Sequence, residues 1–378
     1  MKKKIGILSH ALTTNYGGIL QNYALQVVLK ERGCLPVTVD YVSEISNYVK
    51  FASYSKRLLK RIFCSNIPLR AWVTEEEMGI LAQHTRKFVE KNINTTKKIK
   101  LSKLSELDFS DFSGFIVGSD QVWRGNRPHL EKFYFSDFDK YNFPKIAYAA
   151  SFGLDRWIYS KFETDVCSRL AKRITAVSVR EDSGVFLCNK YLGVNSTLVL
   201  DPTLLIDRKY YIDIANQISN NNKESTRLLM VYVLDESLQK KQIVDNIASR
   251  FGLSILRVMA EYSYKDVGRE NIQKCIFPPI EQWIKGFMDA DFVVTDSFHG
   301  TVFSIIFNKP FVAIVNKERG AARFTSLLNM FGLSDRLVYS IDDIEKIYSK
   351  SIDYDHVNDV LRSKRIESLE FIYSNLHI

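Results

Sequence analysis

The chain has 378 residues, of which 46% are hydrophobic and 25% charged, and its formal net charge is +9. This length exceeds one ordinary core and suits two domains of roughly 150–200 residues each. The composition is that of a folded globular protein and excludes a disordered chain. The positive charge favours an anionic partner, but it is scattered and accompanies no nucleic-acid-binding motif, so we expect no nucleic acid partner.

The N-terminal segment and the cysteines predict a cytoplasmic protein. The apolar run 5–8 that follows three lysines ends at Ser9, far short of a signal peptide. No stretch of the sequence approaches the roughly 18 apolar residues of a membrane-spanning helix. The five cysteines are odd in number and never form a Cys-x-x-Cys pair, which favours reduced thiols and predicts no metal site.

Short apolar, β-branched runs alternate with amphipathic helical stretches, a pattern typical of doubly wound parallel sheets. The predicted strands of the first half are 4–8, 37–41, 114–118, 146–151, 174–179 and 197–200. Those of the second half are 228–234, 254–258, 291–295 and 311–315, with helices near 280–289 and 300–307. The pattern therefore predicts an α/β protein.

A polar stretch at 206–225, with a short helix over 210–218 as one reading, indicates a hinge between two halves. We therefore predict two Rossmann-like domains facing a cleft, 1–205 and 206–353, in a glycosyltransferase-B-like arrangement. The final stretch, 354–378, has a helical pattern and is expected to pack back on the first domain.

Residues 48–63 predict a basic amphipathic helix, in which apolar positions recur at helical spacing and most lysines and arginines fall on the other side. Such a helix either packs its apolar face on the core or lies on an anionic membrane surface. The sequence leaves both readings open.

A Gly-Gly turn, Asn15-Tyr-Gly-Gly18, joins the first strand to the first helix. Glycines there allow backbone N–H groups to approach a ligand at the positive end of the helix. The turn is neither a dinucleotide fingerprint nor a Walker loop. A tight connection without any ligand explains the glycines equally well.

The segment Gly118-Ser-Asp-Gln-Val-Trp123 follows a buried strand, at the edge where open α/β sheets bind ligands. Asp120 and the Trp123 indole together suit a sugar, which offers hydroxyls and an apolar C–H face. The alternative is that Asp120 caps a helix and Trp123 only packs.

Arg180 also ends a predicted strand, and a guanidinium aimed into a cleft suits a carboxylate or a phosphate. A surface ion pair with Glu181 or Asp182 is the alternative.

His299 follows the apolar strand that stops at Thr295-Asp296-Ser297, and it lies where a helix is expected to start. A helix N-terminus favours an anion, and an imidazole there both contacts a phosphate and exchanges a proton near neutral pH. The other histidines, His10 among them, lack such a setting in the sequence.

In this order, these segments resemble the polysaccharide pyruvyl transferase family. The motifs that carry the resemblance are Asn15-Tyr-Gly-Gly18 with Gln21, Gly118-Ser-Asp-Gln-Val-Trp123, Ser178-Val-Arg-Glu-Asp-Ser183, Asp201-Pro-Thr-Leu-Leu205, Thr295-Asp-Ser-Phe-His-Gly-Thr-Val-Phe-Ser304, Lys309-Pro-Phe311 and the late Arg323-Phe324. The resemblance covers about residues 5–336.

The resemblance implies phosphoenolpyruvate as donor, no further cofactor, and a pyruvate ketal on a hexose as product, in cell-surface polysaccharide such as capsule or exopolysaccharide. The acceptor in such pathways is carried on a lipid or in a growing polymer. By motif position the donor-binding residues are Arg180, Ser297, Phe298, His299, Gly300 and Thr301, in the second domain except for Arg180. The expected acceptor-binding residues, in the first domain, are Asn15, Gly17, Gly18, Gln21, Ser119, Asp120 and Trp123.

We assign acid chemistry and phosphate contact to His299 and the role of base to Asp120, with Asp296 as the alternative base. Two other functions remain open: an enzyme of the same fold that uses a nucleotide sugar, and a non-catalytic protein that binds a lipid-linked glycan. The expected location is the cytoplasm, with peripheral contact at the inner face of the membrane through the basic helix.

Overall fold

A computed structural model describes residues 2–44, 47–61, 68–138, 140–218, 226–315, 320–348 and 350–378. Its strands in the first half are β1 Lys4–Leu8, β2 Leu35–Thr38, β3 Tyr41–Val42, β4 Ile99–Lys100, β5 Gly114–Gly118, β6 Lys145–Ala150, β7 Ala176–Val179 and β8 Thr197–Leu198. Six of them form one parallel sheet in the order β2-β1-β5-β6-β7-β8, and β3 pairs with β4 beside it.

The second half forms a separate parallel sheet of five strands in the order β10-β9-β11-β12-β13. These strands are β9 Leu228–Tyr232, β10 Ser254–Leu256, β11 Phe292–Thr295, β12 Phe311–Ile314 and β13 Leu337–Val338. Central strands such as β5 and β9 are buried along their whole length, because helices cover both faces of a parallel sheet. The predicted architecture of two doubly wound α/β units is confirmed.

The helices connect the strands and cover the sheets. They are α1 Tyr16–Glu31, α2 Asn47–Arg61, α3 Glu75–Leu81, α4 Gln83–Asn92, α5 Lys161–Ala171, α6 Asp182–Leu187, α7 Arg208–Ala215, α8 Leu238–Phe251, α9 Tyr264–Val267, α10 Ile280–Asp289, α11 Phe298–Ile306, α12 Ala322–Met330, α13 Ile344–Tyr348 and α14 Tyr354–Leu376. No helix in the described part of the chain is long and apolar enough to cross a membrane.

Most predicted elements agree with the structure to within a few residues, and the differences lie at short elements. Strands β4 and β13 were not predicted, because two residues carry no readable periodicity. Helix α11 begins at Phe298, two residues before the predicted start, so His299 lies inside its first turn. Part of the predicted hinge, 219–225, lies outside the described residues.

Helix α14, at the end of the chain, packs against the first sheet. The buried Ser368 hydroxyl accepts a hydrogen bond from the Leu200 backbone N–H at 3.0 Å, just after β8. Arg365 donates to the carbonyl oxygens of Leu204 and Ile206 at 2.9 and 3.1 Å. The helix thus fixes the segment that leaves the first sheet for the second.

Ser368→Ala is expected to lower the free energy of unfolding by about 1–3 kcal/mol, because the buried Leu200 N–H then has no acceptor. Chemical denaturation measures this change. Ser374→Ala is the matched control on the same helix, since Ser374 is exposed and bonds only within its helix. Equal stabilities of the two variants would contradict the role of Ser368.

Candidate functional site

Polar side chains gather where β1, β5, β7 and β8 end. His10, Asp120, Arg180 and Asp201 each come within a few residues of one of these strand ends. Because the strands are parallel neighbours, their carboxyl ends lie at one edge of the sheet. Helix α11 of the second unit brings His299 to the same place, 3.8 Å from Asp201.

Asp201 is the centre of this cluster. Its carboxylate accepts hydrogen bonds from Gln21 at 2.6 Å, from Arg180 at 2.8 Å and from the Thr203 hydroxyl at 2.7 Å. Burial opposes ionisation, but the neighbouring His299 and Arg180 and the hydrogen bonds from Thr203 outweigh it and hold the pKa of Asp201 below its ordinary value. The side chain is therefore a buried carboxylate with its acceptor sites occupied.

Asp120 is the second carboxylate bound by Arg180, with 3.1 Å between its Oδ1 and Nη2. Its other oxygen accepts from Asn15 at 2.9 Å and lies 3.9 Å from His10 Nε2. Burial again opposes ionisation, but His10, Arg180 and His299 hold the pKa of Asp120 well below its ordinary value. Asp120 is ionised at neutral pH and faces an imidazole.

Arg180, which the sequence predicts to bind an anion of the substrate, is buried and already bonds to carboxylates of the protein. Its two Nη atoms bond to carboxylates, and Glu181 lies 3.8 Å from its Nε. Its charge is thus compensated by the protein itself. The guanidinium also stacks over the Phe298 ring, 4.4 Å from the ring centre, and thereby joins the two units.

Arg323, on α12, is a second buried cation at the same ring, 5.9 Å from the centre of Phe298. Burial and the nearby charge of Arg180 lower the pKa of Arg323 to about 10, so it remains protonated at neutral pH. The charges of Asp120 and Glu181 oppose this shift, so Arg323 too has carboxylates of the protein in its surroundings. Two buried arginines thus lie at the Phe298 ring, at the start of α11.

His299 packs directly on the start of α1. A Cβ atom at Gly17 would lie 2.1 Å from His299 Nδ1, so only glycine permits this approach. The buried Nε2 atom has no hydrogen-bond partner among the described residues. Burial lowers the pKa of His299, against the opposing effect of Asp201 and Asp120, so the imidazole is neutral in the unliganded protein at neutral pH.

The backbone of the cluster is strained. Ser119, Asp120 and Ala149 have φ of 32°, 59° and 51°, in the left-handed region that residues with a Cβ rarely adopt. All three follow or end the central strands β5 and β6. Strain at such a position is commonly retained at functional sites, where the surrounding contacts hold the conformation.

The remaining predicted donor-binding residues form the start of α11. Ser297 caps the helix by accepting from the Gly300 N–H at 3.4 Å. Gly300 lies against Thr295, where an added Cβ would be 2.1 Å from its hydroxyl. Thr301 is buried and donates to the Ser297 carbonyl at 3.2 Å. These residues shape the helix terminus that presents Phe298 and His299.

Among the predicted acceptor-binding residues, Asn15 is exposed, whereas Gln21 and Ser119 are buried. Asn15 caps α1 by accepting from the Gly18 N–H at 3.1 Å. Gln21 donates to Ser119 at 3.0 Å as well as to Asp201. Gln21 and Ser119 therefore hold the carboxylate of Asp201 and lie behind the surface of the site.

Trp123 differs from the expectation of a sugar platform. Its indole is fully buried, stacks on Tyr134 with 4.6 Å between ring centres, and donates to the Phe133 carbonyl at 2.9 Å. The rings of Tyr134 and Phe152 lie against it, and their distance from Trp123 in the sequence hid this packing. The alternative reading, in which Trp123 only packs, is the one that agrees with its surroundings.

Asp296 also has structural partners. It accepts from Lys240 at 2.5 Å and from the backbone N–H groups of Leu234 and Asp235 at 2.7 and 3.2 Å. These contacts join β11 to the loop after β9. With its acceptor sites so occupied, Asp296 is a weaker candidate for the base than Asp120.

His10, which no motif in the sequence singles out, also lies in this cluster. The side chain of His10 is 29% exposed, lies beside Asp120, and its Nε2 has no hydrogen-bond partner among the described residues. Enclosure by the protein lowers the pKa of His10 to about 4, although Asp120 opposes the shift. Its position directly after β1 was the available signal.

The cluster also contains Asp201, Glu181 and Arg323, which lie within the sequence motifs but carry no predicted role. Burial raises the pKa of Glu181 in spite of the adjacent arginines, and its carboxylate accepts from the Phe152 N–H at 3.0 Å. In the described part of the chain, no group of three or more His, Cys, Asp or Glu side chains is arranged to hold a metal ion.

Solved structures of low sequence identity share this fold. Arabidopsis thaliana UGT89C1 complexed with UDP-L-rhamnose matches with a TM-score of 0.55 at 10% identity, over 100% of both chains. The α,α-trehalose 6-phosphate synthase of Burkholderia multivorans matches with 0.51 at 11% identity, over 100% of this chain and 98% of that one. S. aureus MnaA with UDP matches with a TM-score of 0.50 at 11% identity, over 100% of this chain and 97% of that one. The architecture is therefore glycosyltransferase-B-like, as predicted.

The family is given by the sequence match. The family model of polysaccharide pyruvyl transferases matches residues 15–318, which include the whole cluster except His10 and Arg323. The chain belongs to the polysaccharide pyruvyl transferase family. No curated protein matches the chain by sequence.

Arg180→Ala is expected to lower the free energy of unfolding by about 3–5 kcal/mol, because it leaves Asp120 and Asp201 buried without their shared counter-charge. Urea denaturation measures this. Arg169→Ala, at an exposed position of α5, is the control and should change stability by about 0.5 kcal/mol or less. A stable Arg180→Ala protein would mean that the carboxylates do not depend on this arginine.

The lowered pKa of His10 makes the stability of the protein depend on pH. This pKa is about 4 in the folded protein but near 6.5 in the unfolded chain, which therefore binds the proton first as the pH falls. This contribution to stability is complete above about pH 6.5 and is lost between pH 6.5 and about 4. The free energy of unfolding of the native protein minus that of His10→Asn should therefore decrease as the pH is lowered through this interval. A difference that is constant with pH would contradict the shift.

Proposed function

We propose that this protein transfers the pyruvyl group of phosphoenolpyruvate to two hydroxyls of a sugar, forming a cyclic ketal in cell-surface polysaccharide. Membership of the family supports this reaction. The observation that carries it is the imidazole of His299, whose Nε2 accepts or donates no hydrogen bond within the described part of the chain and which lies beside two buried arginines near Phe298. A substrate with both a carboxylate and a phosphate suits this set of groups.

The donor lies, in this proposal, at the start of α11. The helix N-terminus and Arg323 supply positive potential, and His299 contacts the phosphate. Arg180 contributes through its position, because it holds Asp120 and Asp201 in place and stacks on the Phe298 ring. This differs from a simple clamp, because its Nη atoms already bond to carboxylates.

The acceptor hydroxyls lie beside His10 and Asp120. In this proposal the neutral imidazole of His10 accepts a hydroxyl proton, and the ionised Asp120 stabilises the imidazolium that forms and so opposes the lowering of the His10 pKa by burial. The His10 side chain is partly exposed while Asp120 is nearly buried. Because Nε2 is buried and faces Asp120, we assign the contact with a sugar hydroxyl to the other ring nitrogen of His10. We therefore assign the base to this pair, with Asp120 as the partner that orients and charges it.

The reaction balances without any further reagent. A proton is added to the methylene carbon of phosphoenolpyruvate, and one sugar oxygen bonds to C2. The C2–O bond to phosphate then breaks, and the second sugar oxygen bonds to C2. Of the two hydroxyl protons released, one replaces the proton consumed at the methylene carbon and the other leaves with phosphate. The protein must supply an acid, a base and positive charge for the phosphate.

His299 is neutral before the donor binds, because burial lowers its pKa. A bound phosphate would favour the imidazolium and raise that pKa. The donor itself thus converts His299 into an acid. The acceptor is a hexose, on a lipid or in a growing polymer.

The test is phosphate release from phosphoenolpyruvate against a panel of simple, lipid-linked and polymeric hexosides. We expect release that requires an acceptor, and a loss in kcat of about 100-fold or more in His299→Ala. His356→Ala, which removes an exposed histidine of α14, is the matched control and should retain full activity.

Arg323→Lys, which keeps the charge but loses the planar fork, should raise KM for phosphoenolpyruvate more than it lowers kcat. Phosphate release that is absent with every acceptor would reject the proposal, and consumption of a nucleotide sugar in its place would assign a different donor. Full activity of His299→Ala would reject the role given to this residue.

A further inference from the structure

Helix α2 carries an apolar face that points away from the protein. Phe51 is 72% exposed, Leu58 50% and Leu59 64%, and Tyr54 adds to the same face. Phe51, Tyr54 and Leu58 are three and four residues apart and therefore lie on one side of the helix. The core-facing reading of this helix is thus wrong for these residues. Ile62 and Phe63 of the predicted helix lie outside the described residues.

The helix is attached through its polar side. Arg57, which lies on the opposite side from Leu59, donates to the backbone carbonyls of Pro68 and Lys265 at 2.8 and 2.9 Å. Lys265 belongs to α9 of the second half of the chain, so α2 contacts both halves. An amphipathic helix with its polar side on the protein and its apolar side outward needs something to cover the apolar side.

Positive charge surrounds this face. A groove beside α2 is lined by the cationic residues Lys56, Arg57, Lys60 and Lys265, together with Asp266. A neighbouring cleft of about 620 Å³ adds Arg61, Arg70 and Arg269, with Glu270 as its further acidic residue. Arg70 is already paired with Glu77. The cations that remain still outnumber the two acidic groups clearly, so the surroundings of the apolar face attract anions.

We propose that α2 docks the protein on an anionic lipid bilayer. Phe51, Leu58 and Leu59 insert at the boundary between headgroups and acyl chains, and the lysines and arginines beside them contact the headgroups. A large apolar face bordered by Lys and Arg on a helix of low overall hydrophobicity is the pattern of helices that lie in a membrane interface.

The size and composition of the face argue against a second protein chain as the occupant. Helix α2 has 15 residues, which makes it about 22 Å long at 1.5 Å per residue. A stable protein interface needs about 800 Å² and 20–30 residues on each side. Lysines are depleted at such interfaces, whereas Lys56 and Lys60 are exposed here beside the apolar face. Docking on a bilayer needs no such minimum area, and lysines favour it when the lipids are anionic.

The experiment is flotation of the purified full-length chain with two kinds of vesicle: phosphatidylglycerol mixed equally with phosphatidylcholine, and phosphatidylcholine alone. We expect binding to the anionic vesicles that weakens as salt is raised, and little binding to the neutral ones. The double variant Phe51→Ser/Leu59→Ser should bind the anionic vesicles about tenfold or more weakly. Lys56→Gln/Lys60→Gln should bind more weakly at low salt, with a smaller salt dependence.

Phe162→Ser is the matched control, because Phe162 is 76% exposed on α5, in another part of the fold. It should bind like the native protein, and Phe51→Trp should retain binding since indole suits the interface. Phosphate release with a water-soluble acceptor should be unchanged in every α2 variant, which separates this inference from the proposed reaction.

Three outcomes would overturn the docking proposal. These are no binding of the native protein to anionic vesicles, equal loss in Phe162→Ser and Phe51→Ser/Leu59→Ser, and a native dimer that dissociates in the double variant without any vesicle binding. Light scattering on the same samples gives the oligomeric state, and thermal unfolding verifies that each variant is folded.

Discussion

The buried guanidinium of Arg180 is the group on which the site depends. It lies between Asp120 and Asp201 and compensates two carboxylates that could not both remain ionised in the interior alone. Each carboxylate then binds groups from other elements: Asp201 holds Gln21 of α1, and Asp120 holds Asn15 at the start of the same helix. One cation therefore determines how β5, β7 and α1 meet.

Arg180 also contacts the second half of the molecule. Arg180 stacks on Phe298, and His299, the next residue, packs on Gly17. Burial holds the imidazole of His299 neutral, and the neighbours of Asp120 hold its carboxylate ionised, so the pKa values of both groups lie below their ordinary values before a substrate binds. In the proposed reaction, substrate binding changes the balance at His299.

Membrane docking and ketal formation place different demands on the chain. The charged groups around Arg180 are buried and paired with one another within the protein. Helix α2 instead exposes apolar side chains, and the lysines and arginines beside them take their counter-ions from solution or from lipid headgroups. Because α2 contacts Pro68 and Lys265, on both halves of the chain, docking would hold both halves at one surface. An acceptor carried on a lipid would then reach the protein without leaving the membrane.

By itself the sequence determined the α/β class, the strands and helices with strong periodicity, and the motif residues Asp120, Arg180 and His299 at the ends of strands. These follow from local pattern, because a buried parallel strand and the polar residue after it are adjacent in the chain. Only the tertiary structure decided that Trp123 is buried, that Arg180 pairs with Asp201, and that His10 lies in the site. It also turned the apolar side of α2 outward. Each of these depends on contacts between residues far apart in sequence, and periodicity shows which residues share a face but not what that face meets.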